Sequence, residues 1–386
     1  MANVTIQPVE TRSQQKEFVG LPWKLYAQDP NWVPPLLQNH QELLGYQTAL
    51  GRLFHKPHPF HAEAEMQTFL AIRDGQVCGR IAATIHHVHN RTYEEQRGFF
   101  GFFESINDTG VSQALFDVAR DWLSDRGMRA IRGPMNPSFN YEMGLLVKGF
   151  DAPPTFMMTY NPPYYADLIE GWGFEKVRDM YAFRGHVDMV ETLDKKMWFV
   201  IEESTRRFDI KLRPIDTRRF VDEVRLFLSI YNEANGNHWG FAPLTDDEIV
   251  KMANGMKSLI VPELTSMAEV DGKTVGTIFG MLDYNPRIKQ IDGRLFPTGF
   301  LKILNGRRKL KRVRMLAAHV LPEFQRWGLG LVLANSVWQR VKDWGIQEVE
   351  FSWVMECNKL SRGTLERADV PRPNTYRLYD YNIAPT

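Results

Sequence analysis

A strand-like segment that runs through a glycine-containing turn into a long amphipathic helix constrains the fold of this chain most strongly. Its sequence is VLPEFQRWGLGLVLANSVWQRVKDW, residues 320–344, with Gly328 and Gly330 in the turn. Glycine lets a ligand approach the backbone closely. The first N–H groups of a helix have no partner within it, and the helix dipole also attracts negative charge. The stretch therefore predicts a turn that binds a phosphate or a similar anion.

Two common phosphate-binding folds do not fit this turn. A P-loop ends in Gly-Lys followed by Ser or Thr, whereas this chain has Leu329, Gly330 and Leu331. A dinucleotide-binding turn needs a further glycine or alanine three residues after Gly330, where Leu333 stands. The sequence therefore argues against both classes of nucleotide-binding protein.

The second half of the chain places strands and helices around this turn. We predict a strand over 210–216, a helix that begins near Phe220, and a second helix capped by Thr245 with Glu248 three residues on. A hairpin turns at Asp271-Gly272. Strands follow over 312–322, 348–355 and 375–382, and the first of these leads into the glycine turn.

The first half shows a similar order of elements. We predict a strand over 3–10, a helix interrupted near Pro22, and a hairpin that turns at Asp74-Gly75. A strand over 97–106 then precedes a helix capped by Asp108 and ended by Gly127, and a further strand covers 128–135.

The repeated order predicts an α+β protein with two mixed-sheet modules in tandem. A chain of 386 residues is too long for one ordinary hydrophobic core, which favours two domains. We place the first domain at residues 1–190, a connecting helix at 191–208 and the second domain at 209–386.

The glycine turn resembles the signature of the GNAT-type N-acyltransferases, Val-x-Pro-x-x-(Arg/Gln)-x-x-Gly-x-(Gly/Ala). Val320, Pro322, Gln325, Gly328 and Gly330 stand in register with it. The resemblance implies a tandem GNAT-like protein with a degenerate first half. It also implies that the pyrophosphate of an acyl-coenzyme A, with acetyl-coenzyme A as the first expectation, is held by Gln325, Arg326, Trp327, Gly328, Leu329 and Gly330. A glycine turn needed only for tight strand-to-helix packing is the alternative.

The resemblance extends to the neighbouring strand ends, with differences. It implies that His319 and Val320 pair with the pantetheine arm of the coenzyme, and that Asn358 belongs to the family's second signature as a coenzyme-binding residue. Leu365 stands where many relatives have a tyrosine that protonates the leaving thiolate, and Asp369-Val370 replaces the usual Gly-Phe. The first half keeps that second signature instead, in NPPYYADLIEGWGFEK, residues 161–176, with Tyr164, Tyr165, Gly173 and Phe174.

Acyl transfer to an amine needs a base for the ammonium proton and a donor for the departing thiolate. His319 is the leading candidate for the base, because an imidazole titrates near neutral pH. Glu356, at the end of the next strand, is a second candidate, and Tyr376 on the last strand is a candidate for the missing acid. A packed histidine and a structural tyrosine remain the alternatives.

Three further features admit more than one reading. The polar loop over 132–144 lines a substrate cleft or satisfies its own turns. Histidines at 55, 58, 61, 86, 87 and 89 have no spacing that demands a metal, and we predict no metal site. The run over 302–314 holds seven basic residues and no acidic one, which suits a coenzyme phosphate, an acidic acceptor, RNA or a solvated loop.

The composition predicts a soluble globular protein. The formal net charge is +1, so no global field favours nucleic acid, and the two cysteines stand in no metal-type spacing. No signal peptide or membrane-spanning stretch is visible, which predicts a cytoplasmic protein. We predict an N-acyltransferase that acts on a small-molecule or peptide amine. A non-catalytic coenzyme-binding protein and an aminoacyl-tRNA-dependent transferase are the alternatives.

Overall fold

The structure is a computed structural model that describes residues 3–46, 57–192, 195–236 and 238–383. Its chain forms two compact units. The first unit contains Met1–Asp179, Asn285–Phe300 and Asn374–Thr386, and the second contains Met180–Tyr284 and Leu301–Pro373. Each unit is a mixed α/β module, so the predicted fold class is confirmed. The units do not follow the predicted boundaries at 190 and 209, because each takes a strand from the other half of the sequence.

The first unit is built on a mixed sheet in the order β1-β2-β3-β4-β5-β15, with β8 also paired to β15. Its strands are β1 (Thr5–Pro8), β2 (Ala64–Arg73), β3 (Gln76–His86), β4 (Arg97–Ser105), β5 (Ala130–Gly133), β6 (Met135–Asn136), β7 (Glu142–Met143), β8 (Leu145–Lys148) and β15 (Asn374–Asn382). Its helices are α1 (Arg12–Leu25), α2 (Leu37–Leu43), α3 (His87–Tyr93), α4 (Thr109–Ser124), α5 (Tyr165–Trp172) and α9 (Asn285–Gln290).

Buried aromatic side chains fill the main core of the first unit, where α4 and α5 pack on the sheet. Phe100, Phe116, Tyr165, Phe174 and Tyr379 all belong to this core. β15 enters the sheet by antiparallel pairing with β5, for example Tyr379 with Gly133, and with β8. The last strand of the sequence therefore completes the first unit, not the second.

The second unit is built on the order β9-β14-β13-β12-β11-β10. Its strands are the later part of β9 (Glu175–His186), then β10 (Lys211–Arg213), β11 (Thr265–Val270), β12 (Lys273–Leu282), β13 (Arg312–Val320) and β14 (Glu348–Met355). Its helices are α6 (Lys195–Arg207), α7 (Phe220–Asn235), α8 (Asp246–Met256), α11 (Leu329–Trp344) and α12 (Lys359–Arg367). The short helix α10 (Gly299–Leu304) begins with the last residues assigned to the first unit and ends in the second.

The two faces of this second sheet carry different helices. A Cβ on Gly276 would lie 3.1 Å from Leu333, so the face that Gly276 shares with its register partner Val320 carries α11. Side chains alternate between faces along a strand, so the next register pair, Thr277 and His319, points to the opposite face. On that opposite face, Phe227 of α7 lies 5.1 Å from Phe279 of β12, measured between ring centroids.

Most local predictions are confirmed, because they rest on short-range chemistry. Thr245 and Glu248 form a reciprocal capping box at the start of α8. Asp108 accepts a hydrogen bond from the N–H of Val111 and caps α4. Both predicted hairpin turns are present between paired strands. Among the described residues, no helix is both long enough and apolar enough to cross a membrane.

The predicted interruption at Pro22 is wrong, because α1 continues through it to Leu25. Proline has no N–H to donate to the carbonyl four residues earlier. That carbonyl belongs to Phe18, and it accepts a hydrogen bond of 2.6 Å from the Arg80 guanidinium instead. A side chain distant in sequence thus replaces the bond that Pro22 removes.

Candidate functional site

The N-terminus of α11 is open in the way an anion-binding turn requires. Gly328 has a left-handed φ of 72° and is the capping residue, and no side chain of the described residues caps the helix. Outside its own helical turn, a Cβ placed on Gly330 would meet no described atom within 4 Å. Free helix N–H groups next to empty space favour an anionic ligand.

Gly328 itself is required by packing. Besides its φ, a Cβ at this position would overlap Val200 of α6 and lie 3.1 Å from the Ser204 hydroxyl. Packing therefore accounts for a glycine at this position. It does not explain Gly330, whose surroundings are open.

The other residues of the turn have mixed roles. The Gln325 side-chain amide donates to the carbonyl of Val320 at 3.2 Å and closes the turn. The Trp327 ring stacks on Phe208 with 3.5 Å between centroids, so this ring packs the turn against the segment after α6. Leu329 is fully buried, whereas Arg326 is exposed and free to approach a ligand.

A gap between two parallel strands adjoins this turn. β13 and β14 pair only from Arg312 with Glu348 to Met315 with Phe351. β13 continues to Val320 and β14 to Met355. Over these later residues β13 pairs with β12 on one side only, as far as the described residues show. The unpaired backbone edge of residues 316–320 therefore offers hydrogen-bonding groups to a ligand that lies in the gap.

A buried charged network holds the strands together where the gap begins. The Arg184 guanidinium donates to Glu350 at 2.8 Å. The Ser352 hydroxyl donates to the other oxygen of Glu350 at 2.9 Å and accepts from Arg314 at 2.8 Å. Arg314, Glu350 and Ser352 are all less than 5 % exposed. Each charge has partners, as buried charges require.

His319 points away from α11 and into the face covered by α7. Its ring lies 4.9 Å from that of Tyr231, edge to face, and its Nδ1 lies 3.3 Å from the Asn235 side-chain nitrogen. Burial, with a smaller effect of His238, lowers the pKa of His319 to about 3. A neutral imidazole at physiological pH is a weak base, which counts against the predicted role of His319 in taking a proton.

The other predicted site residues, Asn358, Glu356 and Tyr376, differ in their surroundings. Asn358 caps α12 by accepting from the N–H of Ser361 at 3.1 Å, so its side chain is used by its own helix. Glu356 lies half-buried just beyond the end of β14. Tyr376 is buried on β15 and belongs to the first unit, not to the unit that carries the glycine turn. The prediction that Tyr376 lies in the second domain is therefore wrong, because its strand pairs with β5 and β8.

In the first unit, side chains and a loop of the protein occupy the places that correspond to the helix N-terminus and the strand gap of the second unit. The Asp108 carboxylate caps α4, and Arg73 donates to it at 2.8 Å and 3.1 Å, so an anion already lies at this helix N-terminus. β4 and β5 pair only over Arg97 to Phe99, and a Cβ on Gly101, beyond that pairing, would overlap the Met135 carbonyl. The Asn136 side chain accepts from the N–H of Phe102 at 2.6 Å. The polar loop 132–144 therefore fills the gap of the first unit.

A cluster of buried polar side chains in the first unit was not predicted from the sequence. Glu104 accepts hydrogen bonds from the hydroxyls of Tyr26 at 2.8 Å and Tyr165 at 2.7 Å, and Arg80 lies 3.4 Å away. Burial raises the pKa of Glu104. Tyr165 was visible in the second signature, but nothing local indicates that Glu104 and Arg80 lie beside it.

The two glycines of the turn should respond differently to alanine. We expect Gly328→Ala to lower the free energy of unfolding by about 1–3 kcal/mol, because its left-handed φ strains a side chain and Val200 obstructs it. Gly330→Ala should raise it by up to about 1 kcal/mol, because alanine favours a helix over glycine. Chemical denaturation monitored by circular dichroism measures both. Equal effects would contradict the assignment of Gly328 to packing and Gly330 to open space.

The basic run over 302–314 is largely engaged within the second unit. Arg307 donates to the Ser258 carbonyl, Arg308 to that of Asp343 and Lys311 to that of Gly345. The two latter carbonyls belong to the end of α11 and its cap, where positive charge is stabilising. Arg312 donates to Glu348 at 2.7 Å and Arg314 to Ser352 at 2.8 Å, so five of the seven basic residues have contacts that support a structural role.

The histidine clusters do not form a metal site in the part of the chain that is described. No group of three or more His, Cys, Asp or Glu side chains there is placed to hold a metal ion. His55 lies outside the described residues. Nε2 of His89 donates to the Glu95 carboxylate at 2.7 Å, and Nε2 of His61 donates to the Leu43 carbonyl at 3.1 Å.

Comparisons with known proteins agree with this architecture. No family model matches the chain. Bacterial ceramide synthase from Caulobacter vibrioides is 33% identical over 389 residues, covering 98% of this chain and 97% of that protein. Protein YghO from Escherichia coli is 32% identical over 382 residues, covering 96% and 94%.

Among solved structures, a tandem GNAT protein from the clavulanic acid biosynthesis pathway superposes with a TM-score of 0.57. The match covers 100% of both chains at 10% sequence identity, which makes it a likeness of fold alone. The resemblance drawn from the glycine turn is confirmed by this fold. The chain belongs to the family of bacterial ceramide synthase and protein YghO, and it adopts the tandem GNAT-type acyltransferase fold.

Proposed function

We propose that this protein is an N-acyltransferase that takes an acyl group from an acyl-coenzyme A and joins it to the amine of a long-chain amino alcohol. The product is a ceramide-type lipid amide. The observation that carries the proposal is the uncapped N-terminus of α11, which opens directly beside the gap between β13 and β14.

The residues of the second unit fit an acyl-coenzyme A. Free N–H groups at the start of α11, with the space over Gly330, suit a pyrophosphate. The unpaired edge of residues 316–320 suits the amide groups of the pantetheine arm. When bound, the thioester supplies an activated acyl carbon. The backbone N–H groups of the same edge are the donors available to a developing oxyanion.

The acceptor class rests on the relatives. A protein 33% identical over nearly its whole length is a ceramide synthase, and a ceramide is the N-acyl derivative of a long-chain amino alcohol. Direct attack of the amine needs no nucleophile from the protein. Cys357, the one exposed cysteine among the described residues, is therefore not required. The long acyl chain of a ceramide favours a long-chain donor over the acetyl group first expected.

Calorimetric titration with coenzyme A, acetyl-coenzyme A and palmitoyl-coenzyme A tests the donor. We expect one molecule to bind per chain, because Asp108 and the loop over 132–144 fill the equivalent site of the first unit. Palmitoyl-coenzyme A should bind most tightly. No binding at millimolar coenzyme would overturn the donor assignment, and two molecules per chain would contradict the closure of the first unit.

A further inference from the structure

Two of the buried polar groups in the second unit that lack a hydrogen-bond partner in the described structure lie on neighbouring strands. They are the Thr277 hydroxyl and Nε2 of His319. Thr277 is only 1% exposed. Buried polar groups are almost always hydrogen-bonded in native proteins, so each exception calls for a ligand or another explanation.

The two groups are neighbours on one face of the sheet. Thr277 of β12 and His319 of β13 are register partners in an antiparallel pair. Directly opposite residues in such a pair point to the same face and have Cβ atoms about 5 Å apart. Both therefore face α7, next to the stretch of β13 that borders the strand gap.

The contacts of His319 define which ring nitrogen carries the hydrogen. The Asn235 side-chain nitrogen donates to the Tyr231 carbonyl at 2.8 Å, and this bond fixes which end of the amide is the nitrogen. The same nitrogen lies 3.3 Å from Nδ1 of His319. An amide nitrogen can only donate, so Nδ1 accepts and Nε2 of the neutral ring carries the hydrogen. Nε2–H is therefore a buried donor without an acceptor.

Aromatic rings surround this pair. Tyr231 lies 4.9 Å from the His319 ring, and Phe227 lies 6.3 Å from it and 5.1 Å from Phe279. The environment thus combines apolar walls with one free donor and one hydroxyl that can both donate and accept. A ligand hydroxyl on an apolar chain satisfies both polar groups, because it can accept from Nε2–H and donate to the Thr277 hydroxyl.

We propose that Thr277 and His319 form a binding site for a hydroxyl group of the acceptor amino alcohol. His319 Nε2–H donates to the hydroxyl oxygen, and the hydroxyl donates its hydrogen to Thr277 Oγ1. This assignment rests on the proposed function for the identity of the acceptor. His319 then positions the acceptor and selects for its hydroxyl, and it does not act as the base.

Equilibrium binding of two matched probes tests the site without turnover. The aminododecanol is 2-aminododecan-1-ol, which carries a hydroxyl on the carbon next to the amine-bearing carbon. Dodecylamine has the amine and no hydroxyl. We expect the wild-type protein to bind aminododecanol at least tenfold more tightly, because a site built for a hydroxyl leaves its own polar groups unpaired with the analogue. Equal affinities for the two probes would overturn the proposal.

Thr277→Val removes the hydroxyl at nearly constant shape. We expect the affinity ratio of the two probes to fall towards one, with a melting temperature equal to or above that of the wild type. The stability should not fall, because the lost hydroxyl has no partner among the described residues. A lower melting temperature with an unchanged ratio would show a structural hydroxyl and contradict the proposal.

Ser266→Ala is the matched control. Its hydroxyl is also buried and unpartnered, but its register partner Ile278 places it on the face opposite Thr277. This variant should keep the wild-type affinity ratio.

Two substitutions at His319 test its role as a donor. His319→Phe should abolish the preference for aminododecanol over dodecylamine. His319→Gln should retain part of that preference, because the Gln amide presents an N–H near the position of Nε2. Equal loss in both His319 variants would contradict a donor role.

These measurements separate the two levels of the account. If the protein prefers aminododecanol but forms no amide from any acyl-coenzyme A, the hydroxyl site is supported and the proposed function is contradicted. If it acylates both probes equally, the proposed function is supported and the hydroxyl site is contradicted.

Discussion

A Gly330→Trp variant is expected to fold normally and to bind acyl-coenzyme A roughly a hundredfold more weakly than the wild type, a loss of about 2.8 kcal/mol. The indole would occupy the space over the N-terminus of α11, where a Cβ would meet no described atom within 4 Å outside its own helical turn. The variant therefore blocks the anion site without disturbing a packed neighbour. Calorimetric titration measures the affinity, and circular dichroism verifies the fold.

Gly330→Ala is the control for that result. The methyl group leaves most of the space open, so binding should stay within about threefold of the wild type, roughly 0.7 kcal/mol. If the Trp variant bound coenzyme as well as the wild type, the pyrophosphate would lie elsewhere. A substitution at Gly328 cannot serve this purpose, because it also disturbs the contact with α6.

Glu350→Ala is expected to lower the free energy of unfolding by about 3–5 kcal/mol. The substitution leaves the Arg184 guanidinium without the carboxylate it pairs with at 2.8 Å, in a place where its side chain is only 14% exposed. It also removes the acceptor of the Ser352 hydroxyl, which supports Arg314. Urea denaturation monitored by fluorescence measures the change.

The exposed pair of Glu203 and Arg206 provides the comparison. The two side chains are 38% and 76% exposed and lie 2.8 Å apart. Glu203→Ala should cost far less than Glu350→Ala, because solvent screens such a pair. A Glu350→Ala effect as small as this one would contradict a structural role for the buried network at the base of the gap.

Local chemistry made much of the fold predictable. The Asp-Gly turns, the Thr245–Glu248 capping box and the Asp108 cap each depend on a few neighbouring residues, and all are present. The continuation of α1 through Pro22 was not predictable, because the compensating donor, Arg80, lies far away in sequence. Strand periodicity indicates which residues face a core but not which strand will be the partner. The pairing of β15 with β5, and hence the unit to which Tyr376 belongs, required the structure.

The candidate site was predictable only in part for the same reason. The order of residues in 320–330 was enough to identify the turn. It was not enough to show that Val200 presses on Gly328 while Gly330 stays open, because that contact comes from a separate helix. Asp108 was recognised as a cap, but its consequence, an anion already present at the start of α4, depends on where Arg73 lies. The direction of the His319 side chain depends on register and was likewise open.

The most direct test of the account is a single reaction analysed for both products. Purified protein is incubated with palmitoyl-coenzyme A and a long-chain amino alcohol, and free coenzyme A and N-acyl amide are quantified by mass spectrometry. With palmitoyl-coenzyme A below the wild-type Kd, transfer from a thioester held at the α11 turn predicts equal amounts of the two products, both lowered roughly a hundredfold in Gly330→Trp. Amide formation at the wild-type level in the variant, or no amide from any acyl-coenzyme A, would contradict it.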